Sequence, residues 1–297
     1  MKIGRNILTV LLSVFVLTAN AQQSGIYSQY MFNGLALNPA YAGHDDVLSL
    51  TFLGRAQSVG LDGSPKTQTF SAHTPIIGQK VGLGFQLYHE TIGVSEQTGT
   101  YLSYSYRLNF KNYTLSFGLQ TGVNFYNSDY SMLLINDPGD PTFSNDLRET
   151  IFNFGSGVML NNESFFVGLS VPQMLSARNE ITQEQPIFFY GGYIWNLSTF
   201  IKFKPSALLK VESGRTVELD LNASVLFNDL LWAGVSFRPA NALVFMFEFQ
   251  ATEQLAIGYA YDATVNSLRT AESGSHELLI NYRFQFSQKG MISPRYF

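Results

Sequence analysis

Four histidines, His44, His73, His89 and His276, are the first candidates for metal ligation or proton transfer, yet none stands in an HExxH frame or any other metal-ligand spacing. They read as surface or lumen residues. Cysteine is absent, which removes disulfides, thiolate metal sites and cysteine nucleophiles together. Gly82-Leu83-Gly84 lacks the third glycine and the following helix of a phosphate loop, and reads as a pair of strand glycines that ease bending. No GxSxG elbow accompanies an Asp/His pair. Asp137-Pro138-Gly139-Asp140-Pro141 offers carboxylates to a cation, but its prolines and glycine describe a solvated turn. The expectation is a chain that is not an enzyme, with no catalytic residue, no cofactor and no metal.

The elements that would position any site begin after a leader. Lys2 and Arg5 precede an apolar run from Ile7 to Leu17, followed by Ala19-Asn20-Ala21. That order is a secretory signal peptide cleaved after Ala21, and the apolar run is short of the roughly 20 residues a spanning helix needs. Its loss removes two of the 18 basic residues and none of the 22 acidic ones, so the mature chain is acidic. Without a Lys/Arg cluster there is no face to displace counterions from phosphates, and nucleic acid is excluded as a partner.

Composition narrows the class. The chain is 45% hydrophobic and 14% aromatic but only 13% charged, against roughly 25% charged for a soluble domain. No apolar run after the leader approaches a spanning helix, so the hydrophobic residues must be dispersed by periodicity, as they are in a closed transmembrane barrel. Period-2 runs bear this out. Tyr113, Leu115, Phe117, Leu119, Val123 and Phe125 alternate with Thr114, Ser116, Gly118, Gln120, Gly122 and Asn124, and only Thr121 breaks the apolar face. Val217 to Phe227 and Leu278 to Phe286 alternate in the same way. Matching along the chain predicts about fourteen strands, starting near Val47, Lys66, Lys80, Thr98, Tyr113, Ile151, Ser164, Ile187, Phe203, Val217, Leu231, Ala242, Gln254 and His276. The expected fold is all-β, a transmembrane antiparallel β-barrel with a short N-terminal segment outside the strand pattern.

The connections sort by length. With the N-terminus periplasmic, the periplasmic side receives Thr74 to Gln79, Lys111-Asn112, Asn161 to Glu163, Ser198 to Lys202, Asn228-Asp229 and Thr252-Glu253; the long connections, Asn127 to Thr150 and Gln173 to Pro186 among them, fall outside. Ile92 to Gln97 belongs to that outer set. A Lys or Arg facing lipid at mid-bilayer costs roughly 2–4 kcal/mol. Arg107, Lys210, Glu212, Glu218, Asp220, Arg238, Glu248, Glu277 and Arg283 all sit on the polar phase and should point inward. Their mixed signs predict a lumen laced by ion pairs rather than a wide single-sign pore. Tyr101, Tyr113, Tyr126, Tyr190, Trp195, Trp232 and Tyr261 stand near strand ends as candidates for interfacial girdles or for ordinary strand packing.

One segment follows neither pattern. Residues 27–43 read YSQYMFNGLALNPAYAG, without strand alternation. Tyr30, Met31, Phe32, Leu35 and Leu37 make an apolar cluster that must be covered, and Asn38-Pro39 reads as a turn. This segment resembles the opening signature of the PorP/SprF family, of the type SQYMFNxLxxNPAYAG. Ser28, Gln29, Tyr30, Met31, Phe32, Asn33, Leu35, Asn38, Pro39, Ala40, Tyr41, Ala42 and Gly43 match it, while Gly34 stands where proline is common. His276-Glu277-Leu278, Asn281 to Phe284 and Ser293 to Phe297 resemble the family's last strand and tail.

The resemblance implies an outer-membrane component of the type IX secretion and gliding machinery of Bacteroidetes, working with the secretion apparatus or helping to export and anchor a large surface adhesin. Lipid and machinery proteins are then the expected partners. Gln29, Tyr30, Met31, Phe32, Asn38, Pro39, Ala40, Tyr41 and Gly43 are the signature residues available for partner binding, with packing as the other reading. The expected division is a signal peptide over 1–21, a periplasmic or lumen plug over 22–46, and the barrel with its tail over 47–297. An alternative is a passive transporter of hydrophobic or small solutes, similar to the fatty-acid transporter family, which carries a longer N-terminal plug. A barrel enzyme would need clustered Asp/His or Ser/His on one rim, and the sequence supplies neither.

Overall fold

A computed structural model describes residues 27–77, 79–132, 145–175, 185–212 and 217–284. The expected leader, the Asp137 loop, the turn 213–216 and the expected C-terminal tail lie outside the described residues. Strands follow one another from end to end: β1 (Leu48–Ala56), β2 (Lys66–Ile77), β3 (Val81–Ile92), β4 (Ser95–Asn109), β5 (Thr114–Ser128), β6 (Leu147–Asn161) and β7 (Phe165–Val171). The second half continues with β8 (Ile187–Tyr193), β9 (Trp195–Asn196), β10 (Ile201–Val211), β11 (Glu218–Phe227), β12 (Leu231–Arg238), β13 (Ala242–Gln250), β14 (Leu255–Thr264) and β15 (Ser275–Phe284). All pairings are antiparallel between neighbours, and β15 returns to pair with β1 from Leu48↔Phe284 to Ala56↔His276. The sheet is therefore closed and has no edge to protect.

The ring has fourteen positions with one extra strand, because β9 continues the line of β8 along β10. The interruption faces Pro205, which sits between the partners Phe203↔Trp195 and Ser206↔Gly192. Proline has no N–H to give the ladder, so the strand opposite breaks there. Predicted and observed starts agree within a few residues; the largest displacement is β6, which begins at Leu147 rather than near Ile151. One connection differs in kind. The expected outer loop Ile92 to Gln97 shrinks to Gly93-Val94, because β3 and β4 stay paired up to Ile92↔Ser95. At the opposite rim Asn228 (φ 56°) and Asp229 (φ 54°) are the central residues of the tight turn between β11 and β12, closed by Leu230 N–H donating to the Phe227 carbonyl at 2.9 Å.

Polarity is inverted relative to a soluble fold. Leu102, Leu119, Phe152, Phe154 and Phe189 point outward and are more than half exposed, while their strand neighbours Ser103, Gln120, Asn153 and Phe188 are buried inside. In water that surface would be an aggregation hazard; in a bilayer it is the matched face. Eight of the nine charged residues expected inside are buried, and Glu218 is the partly exposed ninth. The girdle candidates divide. Tyr113 and Trp195 are exposed at the short-turn rim, but Tyr101, Tyr190 and Trp232 are buried, because they fall on the inward phase of their strands.

Candidate functional site in the lumen

The segment before β1 cannot join a ladder that is already closed, so its backbone must satisfy itself with tight local turns. It does so with a 3-10 turn at Tyr30–Phe32, one helical turn at Gly34–Leu37 and a second 3-10 turn at Pro39–Tyr41. Asn38 starts the last of these: its Oδ1 accepts the Ala40 N–H at 2.9 Å, and Pro39 occupies the first helical position, where a missing N–H costs nothing. Its amide then donates to the Val158 carbonyl and to the Tyr190 hydroxyl, both at 3.1 Å.

Contacts around the circumference place this segment inside the barrel. Tyr27 hydroxyl bonds Thr69 on β2 at 2.7 Å, Ser105 on β4 donates to the Ala42 carbonyl at 2.6 Å, and Ser170 on β7 donates to the Leu37 carbonyl at 2.6 Å. Lys204 on β10 is wholly buried and holds its ammonium 4.5 Å from the Trp232 ring centre and 5.5 Å from that of Phe32. A cation between two aromatic faces is worth about 2 kcal/mol when desolvated. Two wall glycines let the segment lie directly on the sheet: a Cβ on Gly82 would strike the Ala42 carbonyl, and one on Gly118 would strike the Pro39–Ala40 peptide. Close approach is thus the reason for Gly82, where the sequence suggested only bending.

A charged cluster clasps the other end of the segment. Glu277 accepts the N–H of Ser28 at 2.9 Å and of Gln29 at 2.7 Å, and Arg55 reaches Glu277 at 3.0 Å and Asp262 at 2.8 Å. The Ser28 hydroxyl donates to Asp262 at 2.6 Å and accepts from Arg55 at 2.6 Å. Arg238 extends the network, 3.1 Å from Asp262 and 2.6 Å from Asp220, which also receives the Ser236 hydroxyl. Every charge in this chain of contacts is buried and meets an opposite one. Burying charge is tolerable only on those terms, because desolvation costs several kcal/mol per ion.

At the short-turn rim Asp46 pairs with Arg107 at 2.9 Å and Asp45 lies 3.6 Å from His73. Tyr41 stacks at a tilt on His44, ring centres 4.6 Å apart, and meets His73 edge-on at 5.4 Å. Burial pushes the His44 imidazole down to about 4, with neighbouring Asp45 opposing the shift.

The signature residues are therefore brought together. Gln29, Tyr30, Met31, Phe32, Asn38, Pro39, Ala40 and Tyr41 are all buried within the barrel, and Gly43 (φ 74°) turns the chain toward β1. Sequence reasoning missed Ser28, Arg55 and Asp262 as members of one cluster. Arg55 and Asp262 sit on the inward phase of β1 and β14 beside Leu53 and Ala260, so the alternation would have supplied them. Among the described residues no group of His, Asp and Glu is arranged to hold a metal.

No curated protein matches the chain. Among solved structures, the outer membrane protein Omp33 of Acinetobacter baumannii is similar over 81% of this chain and 100% of its own, at 11% identity and a TM-score of 0.48. The KdgM porin is similar over 80% and 99% at 9% identity and a TM-score of 0.43, and a substituted Rh. blastica porin over 80% and 99% at 11% identity and 0.35. The family model described as type IX secretion system membrane protein PorP/SprF matches residues 19–282, and a match over that much of a chain that closes into an outer-membrane β-barrel means that this protein belongs to the PorP/SprF family.

Proposed function

We propose that this barrel serves the type IX secretion and gliding machinery without catalysis of its own, assisting the export or surface anchoring of a large secreted adhesin through contacts with proteins of the apparatus. The observation that carries the reading is the filled lumen. A diffusion channel needs an open path, whereas here residues 27–43 touch wall strands around the ring and a mixed-sign cluster surrounds Ser28. That arrangement favours a docking barrel over a passive transporter. We further propose that residues 1–21 leave as a signal peptide, that 22–46 act as the plug and 47–297 as the barrel with its tail. The signature residues then serve chiefly to pack the plug, and partners read the closed barrel from its rims.

Affinity purification of the tagged, full-length chain from outer membranes tests the proposal. Co-purification of secretion-apparatus proteins or of a large secreted adhesin is the expected result. A barrel recovered alone, together with normal secretion in a strain from which it has been deleted, would overturn it. So would a large, steady, ion-selective current in planar bilayers, which would favour the transporter reading.

A further inference from the structure

The two ends of the inner segment lie at opposite rims, and this fixes a direction. At one end Ser28 is held by Arg55, Asp262, Glu277 and Arg238. Arg55 is the penultimate residue of β1, Arg238 ends β12, Asp262 is near the end of β14 and Glu277 near the start of β15. Each stands beside a connection of the long-loop rim: 57–65, 239–241 or 265–274. At the other end Asp46 meets Arg107, which is close to the end of β4 and to the short turn 110–113. Between them the chain descends past Lys204 and Trp232 to Gly118 and Gly82, and β1 then climbs back to the rim where Ser28 began. The segment enters the lumen from the long-loop side.

Outer-membrane barrels carry their long connections outside the cell and their short turns in the periplasm. We propose that the amino terminus of the processed chain opens to the cell exterior, and that the Arg55, Arg238, Asp262 and Glu277 cluster is the site that holds it there. The sequence expectation of a periplasmic N-terminus is thereby reversed. The inference rests on removal of the leader after Ala21, since only a short stretch, 22–26, then precedes Tyr27.

The register explains how such a path can form. Arg55 and Glu277 are direct partners across the pairing of the first and last strands. That pairing is the seam at which the ring closes, so the clasp on Ser28 is complete only when β15 has met β1. An amino terminus already lying in the lumen would be captured by the same event that seals the barrel. Nothing needs to be threaded through a finished pore.

The chain has no cysteine, so single introduced thiols report position without background. The test compares Gln23→Cys with an external reference, Asp62→Cys, and a periplasmic one, Asn112→Cys, using a membrane-impermeant maleimide on intact cells. An octapeptide epitope inserted between Gln22 and Gln23 provides a second reading with antibody. Labelling of Gln23→Cys or of the epitope on intact cells, with Asn112→Cys silent until the outer membrane is permeabilised, is the expected result. If both amino-terminal probes stay silent on intact cells, the proposed direction is wrong. The mass of the purified chain separates the causes: a retained leader would defeat the cleavage reading rather than the direction. The holding role has its own assay, because Glu277→Gln should speed chymotryptic cutting at Tyr30 or Phe32 from outside by at least about tenfold through easier local opening. An unchanged rate would remove the cluster from that role.

Discussion

Glu277 receives the N–H groups of Ser28 and Gln29 on separate carboxylate oxygens, at 2.9 and 2.7 Å, while one of those oxygens also takes Arg55 at 3.0 Å. A single side chain on the last strand thus ties down two peptide units of the inner segment and one side chain of the first strand. Stability of the closed barrel and retention of the segment are coupled through it.

Glu277→Gln tests that coupling. The amide keeps the size but loses the charge, and it turns an NH2 group toward donors that need an acceptor. Removing one partner of a buried pair costs about 3–5 kcal/mol, and Asp262 still holds Arg55, so the lower part of that range is expected. The denaturant midpoint of the folded, heat-modifiable band in micelles should fall accordingly. An unshifted midpoint would mean that the cluster contributes nothing to the closed state.

Gly118→Val addresses the wall. Its Cβ would collide with the backbone of Pro39 and Ala40, atoms that cannot swing aside as a side chain could. Overpacking of this kind costs roughly 1–3 kcal/mol. Gly54→Ala is the control, since the nearest atom to its added Cβ is Phe52 at 3.7 Å, an ordinary contact. The expected outcome is a lowered unfolding midpoint for the first variant and little change for the second; equal effects would deny the close approach.

Acid should loosen the short-turn rim. His44 is held down to about 4 by burial, below the ordinary 6.5 of the imidazole. As pH falls below 6.5 the unfolded chain takes up this proton and the folded chain does not, so stability is full above that value and declines toward pH 4. Asp45, Asp46, His73 and Arg107 share the site. His44→Gln should flatten the part of the pH-stability profile between 6.5 and 4, and a profile of identical slope would count against the assignment.

The strands were legible because lipid and lumen impose a strict period of two on every one of them. Leu119 and Gln120 show it: adjacent in sequence, one faces out and the other is buried inside. The inner segment was legible as an exception to that period. Its direction was not, because the contacts that reveal it join Ser28 to Asp262 and Glu277 across most of the chain. Nor could residue type assign the aromatic residues. Trp195 meets the surroundings and Trp232 meets Lys204, a difference set by the phase of each on its strand. The short connection at Gly93 escaped because polar residues in Ser95 to Gln97 suit a loop as well as an extended hairpin.

Asn38 offers the sharpest separation of capping from packing. Its Oδ1 accepts from Ala40, and its Nδ2 donates to Val158 and Tyr190. Asn38→Asp keeps the acceptor and the shape, but it sets a carboxylate against the Val158 carbonyl, where a donor is required. Loss of a cap alone costs about 0.5–2 kcal/mol, and leaving a buried group without its partner adds about 1–3 kcal/mol. Asn38→Ala loses both, whereas Asn38→Asp loses only the second and gains a repulsion. The two variants should therefore lower the unfolding midpoint by similar amounts. If the aspartate behaves like wild type, the turn at Pro39 is held by its cap alone, and the bonds to β6 and β8 do not anchor the segment to the wall.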